Sequence, residues 1–248
     1  MKNKKIVLTL SLVMALGATL VAGGSLAWFT DTDEATNTFT VGSVEIEQVE
    51  DFVQDSQLIP VVKTPNHSDA DTMTEENNYI KKEVSVKNTG KNPAYVQTFI
   101  AVPAALDVGL LHQHLGNNTD WELVGKTDNV SIAFDHDDDS SNADVTQTFN
   151  VYAYRSKNSI APDTETSDVL SGIYVDAAAD IEVYRNDQNE IEHAYFVWNG
   201  AEITAFDLAD SGNMKLHVLV ATQAIQSQGF ADAAAAFNSG AFPAHPWA

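Results

Sequence analysis

Between residues 80 and 102 the chain carries a hydrophobic period that a sheet accommodates and a helix does not. Ile80, Val84 and Val86 alternate with Lys81, Glu83, Ser85 and Lys87, so an extended segment here has one apolar and one polar face. The alternation stops at Asn88-Thr89-Gly90, and the partner run from Ala94 to Val102 is apolar on both parities until Pro103 ends it. This pattern predicts a half-buried strand, a tight turn and a second strand. Further strand signals fall at residues 121–124, 130–134, 145–155 and 214–221. Residues 181–185 and 191–198 face each other across the turn Asn186-Asp187-Gln188-Asn189.

Helical period is scarce. Residues 105–115 have room for a turn or two, and Phe230 to Phe237 forms the best helical segment, ended by Asn238-Ser239-Gly240. Many short strands without a strand–helix–strand rhythm predict an all-β fold, an antiparallel jelly roll or β-sandwich with a few short helices. Polar loops at residues 63–78, 135–144 and 158–168 are too short for domain linkers, and no internal repeat is present. Residues 28–248 are therefore expected to form a single jelly-roll-like domain.

The first 27 residues read differently. Lys2, Lys4 and Lys5 precede an apolar run from Ile6 to Gly24 that closes on Ser25-Leu26-Ala27. A basic head, an apolar middle and small residues at −3 and −1 make a secretory signal peptide, with cleavage expected between Ala27 and Trp28. The alternative is an uncleaved anchor, since about 19 apolar residues just cross a bilayer. No cysteine follows for lipidation, and the tail shows no sorting signal and no apolar stop. The mature chain is expected outside the cell, without stable membrane insertion.

Composition bounds the chemistry. No cysteine is present, which excludes disulfides, thiol nucleophiles, iron–sulfur clusters and cysteine-containing zinc sites. The 248 residues carry 13 Lys+Arg against 35 Asp+Glu, a net charge of −22. Without the three lysines of the leader, ten cations face the same 35 anions, so the mature chain stands at −25. Such a surface offers no footprint for nucleic acid and repels anionic membranes.

Catalytic motifs are thin. No His-Glu-x-x-His helix exists; His112-Gln113-His114 offers two imidazoles that on a strand would share a face and could bind zinc with a third ligand, with surface loop histidines as the simpler reading. Gly125-Lys126-Thr127 resembles the end of a P-loop, but Asp120 occupies the position of the first glycine. Asp210-Ser211-Gly212 has no preceding glycine for a nucleophile elbow. The densest constellation is the loop with Asp135, Asp137, Asp139 and Asp144, whose alternate carboxylates suit calcium. It lacks the glycine and glutamate of an EF-hand, so a solvated acidic loop is the competing reading, and no other cofactor is indicated.

The start of the mature chain has its own period. Thr30, Thr32, Thr36, Thr38 and Thr40 share one parity, while Phe29, Ala35, Phe39 and Val41 share the other. After Gly42-Ser43 the apolar parity shifts to Val44 and Ile46, as a bulge or break would require. Two runs carry a resemblance: Ser25-Leu-Ala-Trp-Phe-Thr-Asp-Thr-Asp-Glu-Ala-Thr-Asn-Thr-Phe-Thr-Val-Gly-Ser-Val-Glu-Ile46, and Val86-Lys-Asn-Thr-Gly-Lys-Asn-Pro-Ala-Tyr-Val96. Both resemble the TasA/camelysin family, the first its processed N-terminus and the second its Asn-Thr-Gly…Ala-Tyr-Val hairpin. Residues 221–230 are similar to the end of related exported proteins.

The resemblance implies a jelly-roll subunit of extracellular biofilm-matrix fibres in a Gram-positive-type bacterium, cut by a dedicated SipW-type signal peptidase. It also implies self-assembly in which the N-terminal strand, residues 28–41, is donated to the next subunit through Phe29, Ala35, Phe39 and Val41. An accessory matrix protein is a further implied partner. The residues fit that mechanism independently, because cleavage frees a Thr-rich strand whose backbone groups need a sheet edge. Camelysins are also described as surface metalloproteases, so a zinc-dependent peptidase is the enzymatic alternative to a non-enzymatic subunit. A monomeric surface or ligand-binding protein is the third reading.

Overall fold

A computed structural model describes residues 44–52, 60–61, 80–115, 118–134, 145–209 and 217–247. Its strands are β1 (Ile46–Phe52), β2 (Ile80–Asn88), β3 (Ala94–Pro103), β4 (Leu111–His114), β5 (Trp121–Phe134) and β6 (Val145–Ser156). They continue with β7 (Leu170–Val175), β8 (Asp180–Arg185), β9 (Ile191–Trp198), β10 (Ala201–Ile203) and β11 (Leu219–Gln226), followed by helix α1 (Ala233–Phe237). The fold is mostly β, as expected, at the level of an antiparallel sandwich.

One four-stranded sheet runs β1-β2-β7-β4 and the other β11-β3-β6-β5. Val84, Val86, Ile173 and Val175 of the first sheet meet Val96, Ile100, Tyr154 and Val220 of the second in one buried core. Side chains of this size contribute about 1.5–3 kcal/mol each when fully buried. The outer face of the second sheet is buried too. Phe99, Ala101, Phe149, Val151 and Leu219 form a second cluster with Trp247 packed against it, and Ile225, Phe237 and Phe242 form a third. The C-terminal segment thus covers a face that a one-sided sheet would leave in water, which explains why residues 94–102 are apolar on both parities.

The Asn88–Pro93 segment corrects an expectation. Rather than closing a hairpin, it carries the chain from one sheet to the other, because β2 pairs with β1 and β7 while β3 pairs with β11 and β6. Asn88 makes the corner possible: fully buried, its amide donates to the carbonyls of Asn92 and Ile160 at 2.9 Å and accepts from Gly90 N–H at 3.0 Å. These bonds satisfy backbone groups that a hairpin ladder would otherwise have satisfied.

A smaller sheet, β10-β9-β8, stands to one side. Phe196 of β9 roots it in the main core, and Trp198 Nε1 donates to Val108 O at 3.0 Å. Beneath the indole sits Gly109 at φ +89°, where a side chain would be strained and its Cβ would touch the ring. Helix α1 opens on Asp232, whose carboxylate accepts from Ala235 N–H.

Candidate assembly edge

Strand edges are where a sheet protein pairs with another chain, and the edges here are not equivalent. β4 is four residues long and β10 three, too short to template much pairing. β5 is long but broken by bulges between Leu123 and Gly125 and between Thr127 and Val130, with Asn129 at φ +58° and Lys126 in the kinked stretch. Bulges and lysines of this kind blunt an edge. β8 carries a bulge at Tyr184/Arg185. β1 and β11, seven and eight residues long, run in unbroken register with their single described neighbours.

These two regular edges lie on the same flank. Gln48 of β1 accepts from the Thr222 hydroxyl of β11 at 2.8 Å, and Thr222 shares a hydrogen bond with Thr98 of β3 at 2.9 Å. All three residues are buried, so a polar ladder stitches the sheets where apolar contact would be expected. The ladder continues into a charge pair. The Gln48 amide donates to Glu50, and Lys82 Nζ meets Glu50 Oε2 at 2.7 Å, with the lysine side chain 0% and the glutamate 5% exposed. Such a pair is held by mutual attraction against a large desolvation penalty, so losing either partner is expensive.

The chain enters this flank at the sheet-crossing corner. Glu45 O accepts from Thr89 N–H and Gly90 N–H at 3.0 Å, and Val44 and Ile46 are already in the main core. The cleavage residues Ala27 and Trp28 and the strand residues Phe29, Ala35, Phe39 and Val41 lie outside the described residues. Asp135, Asp137, Asp139 and Asp144 do as well; the described residues on either side, Phe134 and Val145, pair with each other. His112 and His114 fall on β4; His112 Nε2 contacts Asp176 at 3.0 Å and its ring stacks on Tyr174, while His114 is buried. Among the described residues no group of three His, Asp or Glu side chains is arranged to hold a metal ion.

A family model described as camelysin metallo-endopeptidase matches residues 2–227. The chain belongs to the camelysin family. No curated protein and no solved structure matches it. All eleven strands among the described residues of this camelysin-family chain fall inside the match, which stops one residue after β11. Residues 228–247, with α1 and the segment covering the second sheet, lie beyond it.

Two polar clusters of this family member had no signal in the sequence. Asp107 accepts from Asn150 Nδ2 at 2.7 Å and Tyr152 OH at 2.8 Å, and pairs with Lys126 Nζ at 2.9 Å, pinning the turn after β3 to β5 and β6. Burial first, and then the Asp107 carboxylate, push the Tyr152 phenol up to about 12. On the small sheet, His193 Nδ1 meets Asp207 Oδ2 at 2.6 Å while Asp207 Oδ1 accepts from Ala194 and Ala209 N–H. The bond to Asp207 raises the imidazole, and the backbone donation from Ala194, followed by His193, lowers the carboxyl.

Proposed function

We propose that this camelysin-family chain is a secreted, non-enzymatic structural subunit of extracellular matrix fibres, assembled by adding the N-terminal strand of one copy to the β1/β11 flank of the next. The observation that carries the reading is the pairing of two features. The regular, bulge-free edges β1 and β11 share one flank, and the segment that precedes β1 in the sequence, residues 28–41, alternates Thr with Phe29, Ala35, Phe39 and Val41. A strand of that period added to a sandwich edge puts apolar side chains toward the core and hydroxyls away from it.

Signal cleavage before Trp28 couples polymerisation to export, since only then is the strand's N-terminus released. A SipW-type peptidase makes that cut, and the matrix or cell surface is the destination. Each mature subunit carries −25, so stacking subunits works against like-charge repulsion. Electron microscopy of the purified chain beginning at Trp28 tests the reading: fibres support it, and dispersed particles at all protein concentrations refute it. The family description favours one rival, a metal-dependent endopeptidase, which chelator-sensitive casein cleavage by the same preparation with bound zinc would establish.

A further inference from the structure

The segment beyond the family match does more than cover the second sheet. Between residues 237–245 and strands β3, β5 and β6 lies a cavity of about 280 Å³, lined by Gln97, Thr127, Arg155, Phe237, Phe242 and His245 among others. Arg155 is the feature that calls for a ligand. In a chain with 35 carboxylates to 13 cationic side chains, no described carboxylate lies within ion-pair distance of it. Its Nε donates to Gln97 Oε1 at 3.1 Å and its guanidinium lies 5.7 Å from the centre of the Phe237 ring, and among the described residues none accepts from the partly exposed Nη groups, which are open to water or a ligand. On the same cavity wall, His245 has a buried Nδ1 with no hydrogen-bond partner. Burial lowers the affinity of that imidazole for a proton, so it stands neutral at pH 7.

We propose that this cavity binds a small organic monocarboxylate, its two oxygens held by the Nη fork of Arg155 and its body lying against Phe237 and Phe242. A planar guanidinium matches a carboxylate through two parallel bonds, which is why an arginine rather than a lysine is diagnostic. One cation suits one negative charge. The other cationic residue of the lining, Lys126, has its ammonium committed to Asp107 and Asp128, and a net charge of −22 opposes a phosphate dianion. Gln97 accepts from Nε rather than from Nη, so the guanidinium is oriented before the ligand arrives and its fork stays open.

The test is a calorimetric titration of the full mature chain with sodium benzoate, sodium acetate and N-acetylglycine, and with benzamide as the uncharged analogue, all at one ionic strength. At least one carboxylate should bind saturably at the cavity, and benzamide should not. Arg155→Gln should weaken binding about ten- to hundredfold, the value of charged hydrogen bonds, with the circular-dichroism spectrum unchanged. Arg155→Lys keeps the charge and loses the fork, and should fall between. Arg185→Gln, on the separate small sheet, should bind as the wild type does. The proposal is overturned by absence of saturation with all three carboxylates, by equal binding of benzamide, or by undiminished affinity in Arg155→Gln. If Arg155→Gln does not fold, Arg155→Lys decides, and wild-type affinity there overturns the fork.

Discussion

Lys82→Met is the sharpest perturbation the β1/β11 flank offers, because two ion pairs of equal length on the same strands differ in burial, the exposed lysine having Glu83 as a second partner at 3.0 Å. Lys82 meets Glu50 at 2.7 Å with side chains 0% and 5% exposed; Lys81 meets Asp51 at the same 2.7 Å with side chains 30% and 68% exposed. Removing the buried ammonium leaves the Glu50 carboxylate facing the Gln48 amide in a closed site, at a cost of about 3–5 kcal/mol. For a chain of this size that lowers the melting temperature by roughly 6–20 °C. Lys81→Met should cost no more than about 1 kcal/mol, since water solvates what remains. Glu50→Met combined with Lys82→Met should recover most of the loss, because neither charge is then stranded. Urea unfolding of wild type, Lys82→Met, Glu50→Met and the double variant supplies the cycle, with Lys81→Met as the exposed control. If Lys82→Met unfolds within about 0.5 kcal/mol of wild type, or if the double variant loses as much as both singles together, the buried pair is not what holds this flank.

Three further outcomes follow from the other clusters. Asp107→Asn removes two of the causes that hold the Tyr152 phenol near 12, so its titration by phenolate absorbance should move toward 10; an unmoved midpoint would mean burial alone sets it. The His193 imidazole should titrate above its ordinary value by NMR and fall in Asp207→Asn; an unmoved midpoint would mean that Asp207 does not set it. Because its folded-state pKa is raised, the clamp it forms is complete below 6.5 and weakens as pH rises through the folded value; the lowered Asp207 pKa makes it weaken again as pH falls below 3.8. Fibre growth followed by light scattering should accelerate from pH 7 to pH 5 and with added salt, whose Debye length is about 8 Å at physiological ionic strength; equal rates would remove charge repulsion as the brake.

Strands with a clean period were legible. Ile80, Val84 and Val86 became the inner face of β2, and the turn at residues 186–189 joins β8 to β9. β7 was not, because all six of its residues are buried and Ser171 and Gly172 interrupt any apolar run. β11 was expected at residues 214–221 and runs Leu219–Gln226, since Thr222 and Gln223 look like a strand's end yet are buried, Thr222 within the polar ladder. Residues 105–115 have room for a turn or two, and turns do occupy 104–110, but Leu111–His114 pair with β7 as β4, where burial of Leu111 against the core outweighs local preference. The flank itself left one trace: Lys82 sits on the apolar parity of β2, as Gln48 and Glu50 sit on that of β1, where they face Val86 and Val84. The corner at Asn88 left none, because a turn signal does not say whether the next strand pairs back or crosses to another sheet.

The central claim is that residues 28–41 act in trans on a body that folds without them, and Phe39→Asp examines it in one experiment. A carboxylate placed on the apolar parity of that strand would be buried unpaired in the neighbouring subunit at a cost of several kcal/mol. Negative-stain electron microscopy of the purified mature chains, wild type beside Phe39→Asp, should show fibres in the first and only dispersed particles in the second, with the β-rich circular-dichroism spectrum retained. Fibres of normal length from Phe39→Asp would contradict the account, and so would an unfolded variant, since the strand would then belong to its own sheet.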